Sequence, residues 1–123
     1  MCLNRDLLRR RYVEYATVQR AMRVEFQREV LGIDRRSTDL PCLISGHVWY
    51  VNERYGVGPS VRSLASSMNA PPETLRRYVR EMAEIGALER RESGWILAPD
   101  LTDRAMSYID RAAERMQRFP LGR

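Results

Sequence analysis

Lysine is absent from this chain, and histidine occurs once, at His47. With one imidazole and two thiols, Cys2 and Cys42, no ordinary zinc set can be assembled, so no metal ligand is expected. A nucleophile activated by a base would depend on that single histidine, which lies in an apolar-rich stretch. Glycine is not gathered into a phosphate loop: Gly56-Val57-Gly58 lacks the further glycine of a dinucleotide fingerprint, and no lysine follows it. Two widely separated cysteines form no disulfide framework and suit a reducing compartment. No apolar run approaches the ~18–20 residues of a membrane span, and Met1-Cys2-Leu3-Asn4-Arg5 does not open a signal peptide. Internal repeats, linkers and low-complexity tracts are missing as well. Together these gaps predict one cytoplasmic domain without catalytic residues, metal or cofactor, and with no membrane partner.

What is present is arginine. All 21 basic residues are arginines, against 16 acidic ones, for a net charge of +5. Genomic base composition could produce that bias, yet guanidinium also suits bidentate contacts to phosphate and guanine. The sign of the charge favours an anionic partner. At 123 residues and 44% hydrophobic content the chain can bury a core of its own.

The most informative stretch runs from Val61 to Leu88. Val61, Leu64, Ala65 and Met68 recur at the spacing of one helical face, with Ser60 as N-cap and Asn69 as a left-handed terminator. A second helix opens at Pro71-Pro72 and stops at Gly86. Its buried stripe is Leu75, Tyr78, Val79, Met82 and Ile85, while Thr74, Arg76, Arg77, Arg80 and Glu84 fall on the other side. Asn69-Ala70-Pro71 has the right length for the turn of a helix-turn-helix. Leu88 to Glu92 and Trp95 to Ala98 then flank Ser93-Gly94, which reads as a β-hairpin with those two residues as its turn.

The flanks read as helices. Leu7 to Leu31 is expected to be one continuous helix with Leu8, Tyr12, Tyr15, Met22 and Phe26 on one stripe. Its roughly 25 residues would span ~37 Å, more than the ~30 Å width of a small domain, so part of the stripe needs a partner from a second copy. Leu40 to Tyr55 carries two apolar lines, Ile44-Val48-Val51-Tyr55 and Leu43-His47-Tyr50, and is expected to be sandwiched, capped by Thr38 or Asp39. A last helix follows Pro99, capped by Asp100 or Thr102. Its expected stripe is Ala105, Ile109, Ala112 and Met116, flanked by Met106, Ala113 and Phe119, and Pro120 and Gly122 end it. Cys42, beside Pro41 near a helix start, is either a thiol of lowered pKa or a small buried hydrophobe.

The stretch Ser60 to Ala105 resembles the winged helix-turn-helix of MarR-type bacterial regulators. The shared features are Leu64-Ala65, Thr74-Leu75-Arg76-Arg77, Met82, Gly86-Ala87-Leu88, Arg90-Arg91 and Leu101-Thr102. The resemblance implies a mainly α fold, a winged helix-turn-helix with a small β-hairpin wing, flanked by long N-terminal and C-terminal helices. It divides the single domain into residues 1–37 and 99–123 for dimerisation and 38–98 for the winged helix, with Val57 adding a short strand to the wing. Two departures stand out. Pro71 occupies a position where the family commonly has a serine-like cap, and the wing is short and lacks the family's Asp-x-Arg tip.

The function so implied is a sequence-specific double-stranded DNA-binding transcription regulator, a repressor, acting as a homodimer on a pseudo-palindromic site. In such a motif the second helix presents its N-terminal residues to base edges in the major groove. Thr74 and Arg76 are then the candidates for base contact, with Arg76 on guanine contributing ~1–3 kcal/mol of discrimination. Arg77 would meet phosphate or base, and Arg80 the backbone. Ser60 and Arg62 would add phosphate contacts from the first helix, and Arg90 and Arg91 from the wing. The resemblance also implies a pocket for a small-molecule effector, with Tyr12, Tyr15, His47, Trp49 and Tyr50 as lining candidates, although the same aromatics can simply fill a core. Between Ser60 and Trp95 six arginines face five glutamates, a thin surplus for one copy that two copies on adjacent half-sites ~34 Å apart would reinforce. That near-neutrality also supports a rival, a winged-helix protein-interaction or assembly module that does not bind DNA.

Overall fold

A computed structural model describes residues 4–117, with Met116 as backbone only. Five helices and one hairpin follow in the order α1 (Arg5–Phe26), α2 (Leu40–Tyr55), α3 (Val61–Met68), α4 (Pro72–Glu84), β1 (Leu88–Arg91), β2 (Gly94–Leu97) and α5 (Pro99–Gln117). The architecture is mainly helical, with a two-stranded antiparallel sheet after the fourth helix. None of the described helices is long and apolar enough to cross a membrane.

The expected helix over 7–31 changes character before its end. It is α-helical to Phe26 and closes with one π-helical turn, Gln27–Leu31. The wider turn accommodates Gln27, whose side chain is wholly buried. Its amide donates to the carbonyls of Arg35 and Thr38, at 3.3 and 2.9 Å, and its oxygen accepts the backbone N–H of Cys42 at 3.1 Å. That N–H is one of the orphan donors at the start of α2. Thr38 Oγ1 takes another, from Leu40. Asp39 therefore does not cap α2 through its side chain; its carboxylate lies 2.7 Å from Arg23 on α1. Leu7, Leu8, Tyr12 and Val13 on the first half of α1 remain exposed.

On α2 only one of the two apolar lines is in the core: Ile44 and Val48 are fully buried, whereas Leu43, Tyr50 and Tyr55 are exposed, and the helix packs against α1 as well as against α3, α4 and β2. The α3–α4 pair follows local chemistry closely. Ser60 accepts from the Ser63 N–H at 3.1 Å, and Asn69 adopts φ 52°. At the far end of α4, Ala87 N–H bonds to Met82 O and Gly86 N–H to Ala83 O, a Schellman pair. Because the chain turns away there, Ile85 is exposed instead of extending the stripe, and Ala87 and Leu88 enter the core in its place.

The hairpin register pairs Leu88 with Leu97 and Arg91 with Gly94, so the turn is Glu92-Ser93, one residue earlier than expected. Gly94 is in the strand, at φ 131°, because its backbone lies against that of Gly58 and a Cβ on either residue would overlap the other. Val57 forms no strand: the passing segment makes one ladder-like bond, from Trp95 N–H to Pro59 O at 3.0 Å. Asn52 on α2 completes this edge, donating to Val57 O and Trp95 O and accepting from Leu97 N–H.

On α5 the buried stripe is Leu101, Ala105 and Tyr108, with Ala112 packed beside it, and Ile109 is largely exposed. Tyr108 displaces Ile109 from the core because its ring meets Phe26 edge-on at 5.4 Å and its hydroxyl donates to Met22 O at 2.7 Å. The helix already begins at Pro99, so Asp100 and Thr102 sit inside its first turns and neither stands at the cap position. Phe119, Pro120, Gly122 and the Met116 side chain lie outside the described residues.

Candidate nucleic-acid interface

The inward face of α4 is fixed by burial: Leu75 and Met82 are fully enclosed and Val79 is 1% exposed. Arg76, Arg77 and Arg80 lie roughly 100–200° round the axis from that face and are all exposed; Thr74, half-buried at the helix start, lies on the Arg77 side and not the Arg76 side. Ser60 and Arg62 are exposed at the start of α3, and Arg90 and Arg91 are exposed on β1.

These side chains do not form one sheet of charge. Arg76, Arg80 and Arg90 converge on a cleft of about 480 Å³ between α4 and the hairpin, which Val61, Val79, Ala83, Glu84 and Trp95 complete. Arg76 is ion-paired with Glu73 one turn earlier. Arg80 has no ion pair among the described residues. Arg90 lies over the Trp95 ring, 5.9 Å from its centroid, as the Arg90–Trp95 register pairing requires. Arg77 points elsewhere, over Tyr78 at 5.3 Å. The same ring meets Arg35 from the α1–α2 loop at 5.9 Å, and Arg35 reaches Glu81 of α4 at 2.7 Å. Arg91 pairs with Glu89 along its own strand. Ser60 Oγ is already engaged as the α3 cap.

Trp95 is the unexpected member of this site, whereas Glu84 lies on the outward face of α4 as expected. A hairpin register with Glu92-Ser93 as the turn sets Trp95 opposite Arg90, but the expected Ser93-Gly94 turn does not. Arg76 and Arg80, four residues apart, lie on one helical face, as their spacing predicts.

The five aromatic candidates for an effector pocket are dispersed. Tyr12 is 72% exposed and Tyr15 half-buried on α1. His47 and Tyr50 border an open groove between α2 and α3. Trp49 lines a separate space of about 70 Å³ with Phe26, Leu97 and Ala105. A different cavity, about 280 Å³, opens between α1, α2 and α5, bounded by Met22, Phe26, Cys42, Tyr108, Ile109 and Ala112.

Cys42 does not have the lowered pKa of a sensor thiol. Burial pushes it up to about 12, and the nearby Arg23 only partly opposes that. Among the described residues no group of His, Cys, Asp and Glu could hold a metal ion. Comparisons with protein-family models, with curated proteins and with solved structures found no match for this chain.

Proposed function

We propose that this chain is a winged helix-turn-helix regulator of the MarR-like kind, with α3 and α4 as the helix pair and β1–β2 as the wing. It binds double-stranded DNA sequence-specifically as a homodimer on a pseudo-palindromic site and acts as a repressor in the cytoplasm. The observation that carries the reading is the polarity of α4, where Leu75, Val79 and Met82 are buried while Arg76, Arg77 and Arg80 stay exposed. An α-helix that presents guanidinium groups early in its length, beside a short hairpin bearing Arg90 and Arg91, matches what the major groove and its flanking phosphates require.

The homodimer is supported by α1. Its first half leaves Leu7, Leu8, Tyr12 and Val13 exposed, more apolar surface than an isolated surface helix needs, with Leu8 and Tyr12 on one line. A second copy covering it would set two α4 helices on half-sites about one turn, ~34 Å, apart. Selection of bound fragments from a random duplex pool tests binding, sequence and spacing together. A palindromic consensus with that spacing is expected, and recovery of no enriched sequence would end the proposal.

The rival reading, a protein-interaction or assembly module, draws on the Arg76–Glu73 and Arg91–Glu89 pairs, which tie up two of the arginines. Failure to bind mixed-sequence duplex at low salt would favour it.

A further inference from the structure

The cleft between α4 and the hairpin has features that a duplex backbone does not need. A phosphodiester backbone is met adequately by exposed cations on an open surface. Here the cations rim a concavity of about 480 Å³, whose wall is formed by Val61, Val79, Ala83 and Trp95. That volume lies within the ~300–1,000 Å³ of small-molecule sites, which combine apolar walls with a few convergent polar groups. The charges lining it are Arg76, Arg80 and Arg90 against Glu84, three positive and one negative. A phosphate monoester carries roughly −1.5 to −2 at neutral pH and offers three strong acceptor oxygens, and guanidinium groups bind such oxygens in pairs. Trp95 supplies an indole to the wall with the Arg90 guanidinium over it, 5.9 Å from its centroid, so a base entering the cleft meets the indole and that planar cation together.

We propose that this cleft binds a free mononucleotide, with its phosphate among Arg76, Arg80 and Arg90 and its base against the wall of Val61, Ala83 and Trp95. The site goes beyond the duplex reading and does not depend on it. Glu73 is the intrinsic competitor: its carboxylate is paired with Arg76, and the incoming phosphate takes its place.

Calorimetric titration of the full chain with adenosine 5′-monophosphate, adenosine and inorganic phosphate tests this. The nucleotide is expected to bind at least tenfold more tightly than either fragment, because the phosphate and base contacts are joined in one molecule. Arg80→Gln, at an exposed residue, should weaken it about tenfold. Glu73→Gln should tighten it several-fold by freeing Arg76, a gain that no loss of folding could produce. Nucleotide binding no stronger than phosphate alone, or unchanged by both substitutions, overturns the proposal. A parallel duplex titration keeps the two readings apart. Nucleotide binding without duplex binding supports the cleft and removes the regulator, and the reverse outcome removes the cleft alone.

Discussion

The side-chain oxygen of Gln27 accepts the backbone N–H of Cys42 at 3.1 Å, so a residue in the last turn of the N-terminal helical segment caps the helix that follows it. The same amide secures two carbonyls of the intervening loop, which in turn places Arg35 against Glu81 and Tyr78 of α4. Gln27→Met keeps the volume but leaves a buried N–H and two carbonyls without their partner. Each such loss costs about 1–3 kcal/mol, less where water enters. Urea unfolding should show a destabilisation of about 2–4 kcal/mol in total. A change under about 0.5 kcal/mol, the size of an ordinary surface substitution, would mean the network carries no weight.

Gly94 and Gly58 make a second tertiary dependence. Gly94→Ala introduces a Cβ into the backbone of Gly58 at a residue already at φ 131°. The expected cost is about 2 kcal/mol or more, since conformational strain alone contributes ~1–3 kcal/mol. Circular dichroism melts read this directly. Gly46→Ala is the control, since nothing lies within 4 Å of its Cβ position and it sits inside α2. That variant should be neutral or slightly more stable.

Cys42 provides a chemical prediction. Its pKa of about 12, raised by burial, means that the thiolate is scarce at ordinary pH. At pH 8 the thiolate fraction is about a thousandfold below that of a thiol at its usual value. In a Cys2→Ser background, iodoacetamide should react with the folded protein correspondingly slowly, and at an ordinary thiol rate after urea unfolding. The sign follows from the raised pKa: the folded state holds the thiol proton more firmly than the unfolded state does. Any stability from this group is present below the unfolded value and lost as pH rises through about 12. Rapid alkylation of the native protein would restore the sensor reading that the buried thiol excludes.

Local chemistry was legible in the sequence, and long-range choices were not. Ser60, Asn69 and Gly86 act on backbone groups within a few residues, so their roles at the ends of α3 and α4 followed from residue type. The α4 stripe was legible to Met82 and failed at Ile85, where the Schellman turn redirects the chain. Tyr108 outcompeted Ile109 for the α5 core because a tyrosine can bury its ring while its hydroxyl finds Met22 O, a partner 86 positions away in sequence. Gln27 was invisible for the same reason, since a polar residue is read as exposed until its three partners are known. The hairpin turn moved by one residue because Gly58, not the turn itself, determines where Gly94 must sit. The arginines of the candidate interface were identified one by one, but their gathering of Arg76, Arg80 and Arg90 around Trp95 depends on how the hairpin folds over α4.

The central claim is that α4 meets DNA through its exposed arginines, and salt-dependent fluorescence anisotropy on a mixed-sequence duplex tests it most directly. The parent chain should bind at low salt and lose affinity steeply as salt rises. Arg80→Ala should lower the slope of log affinity against log salt by about 1 for each copy bound, the signature of one lost phosphate contact. A parent that does not bind at low salt, or a chain with Arg76, Arg77 and Arg80 all changed to alanine that binds as the parent does, would contradict the account.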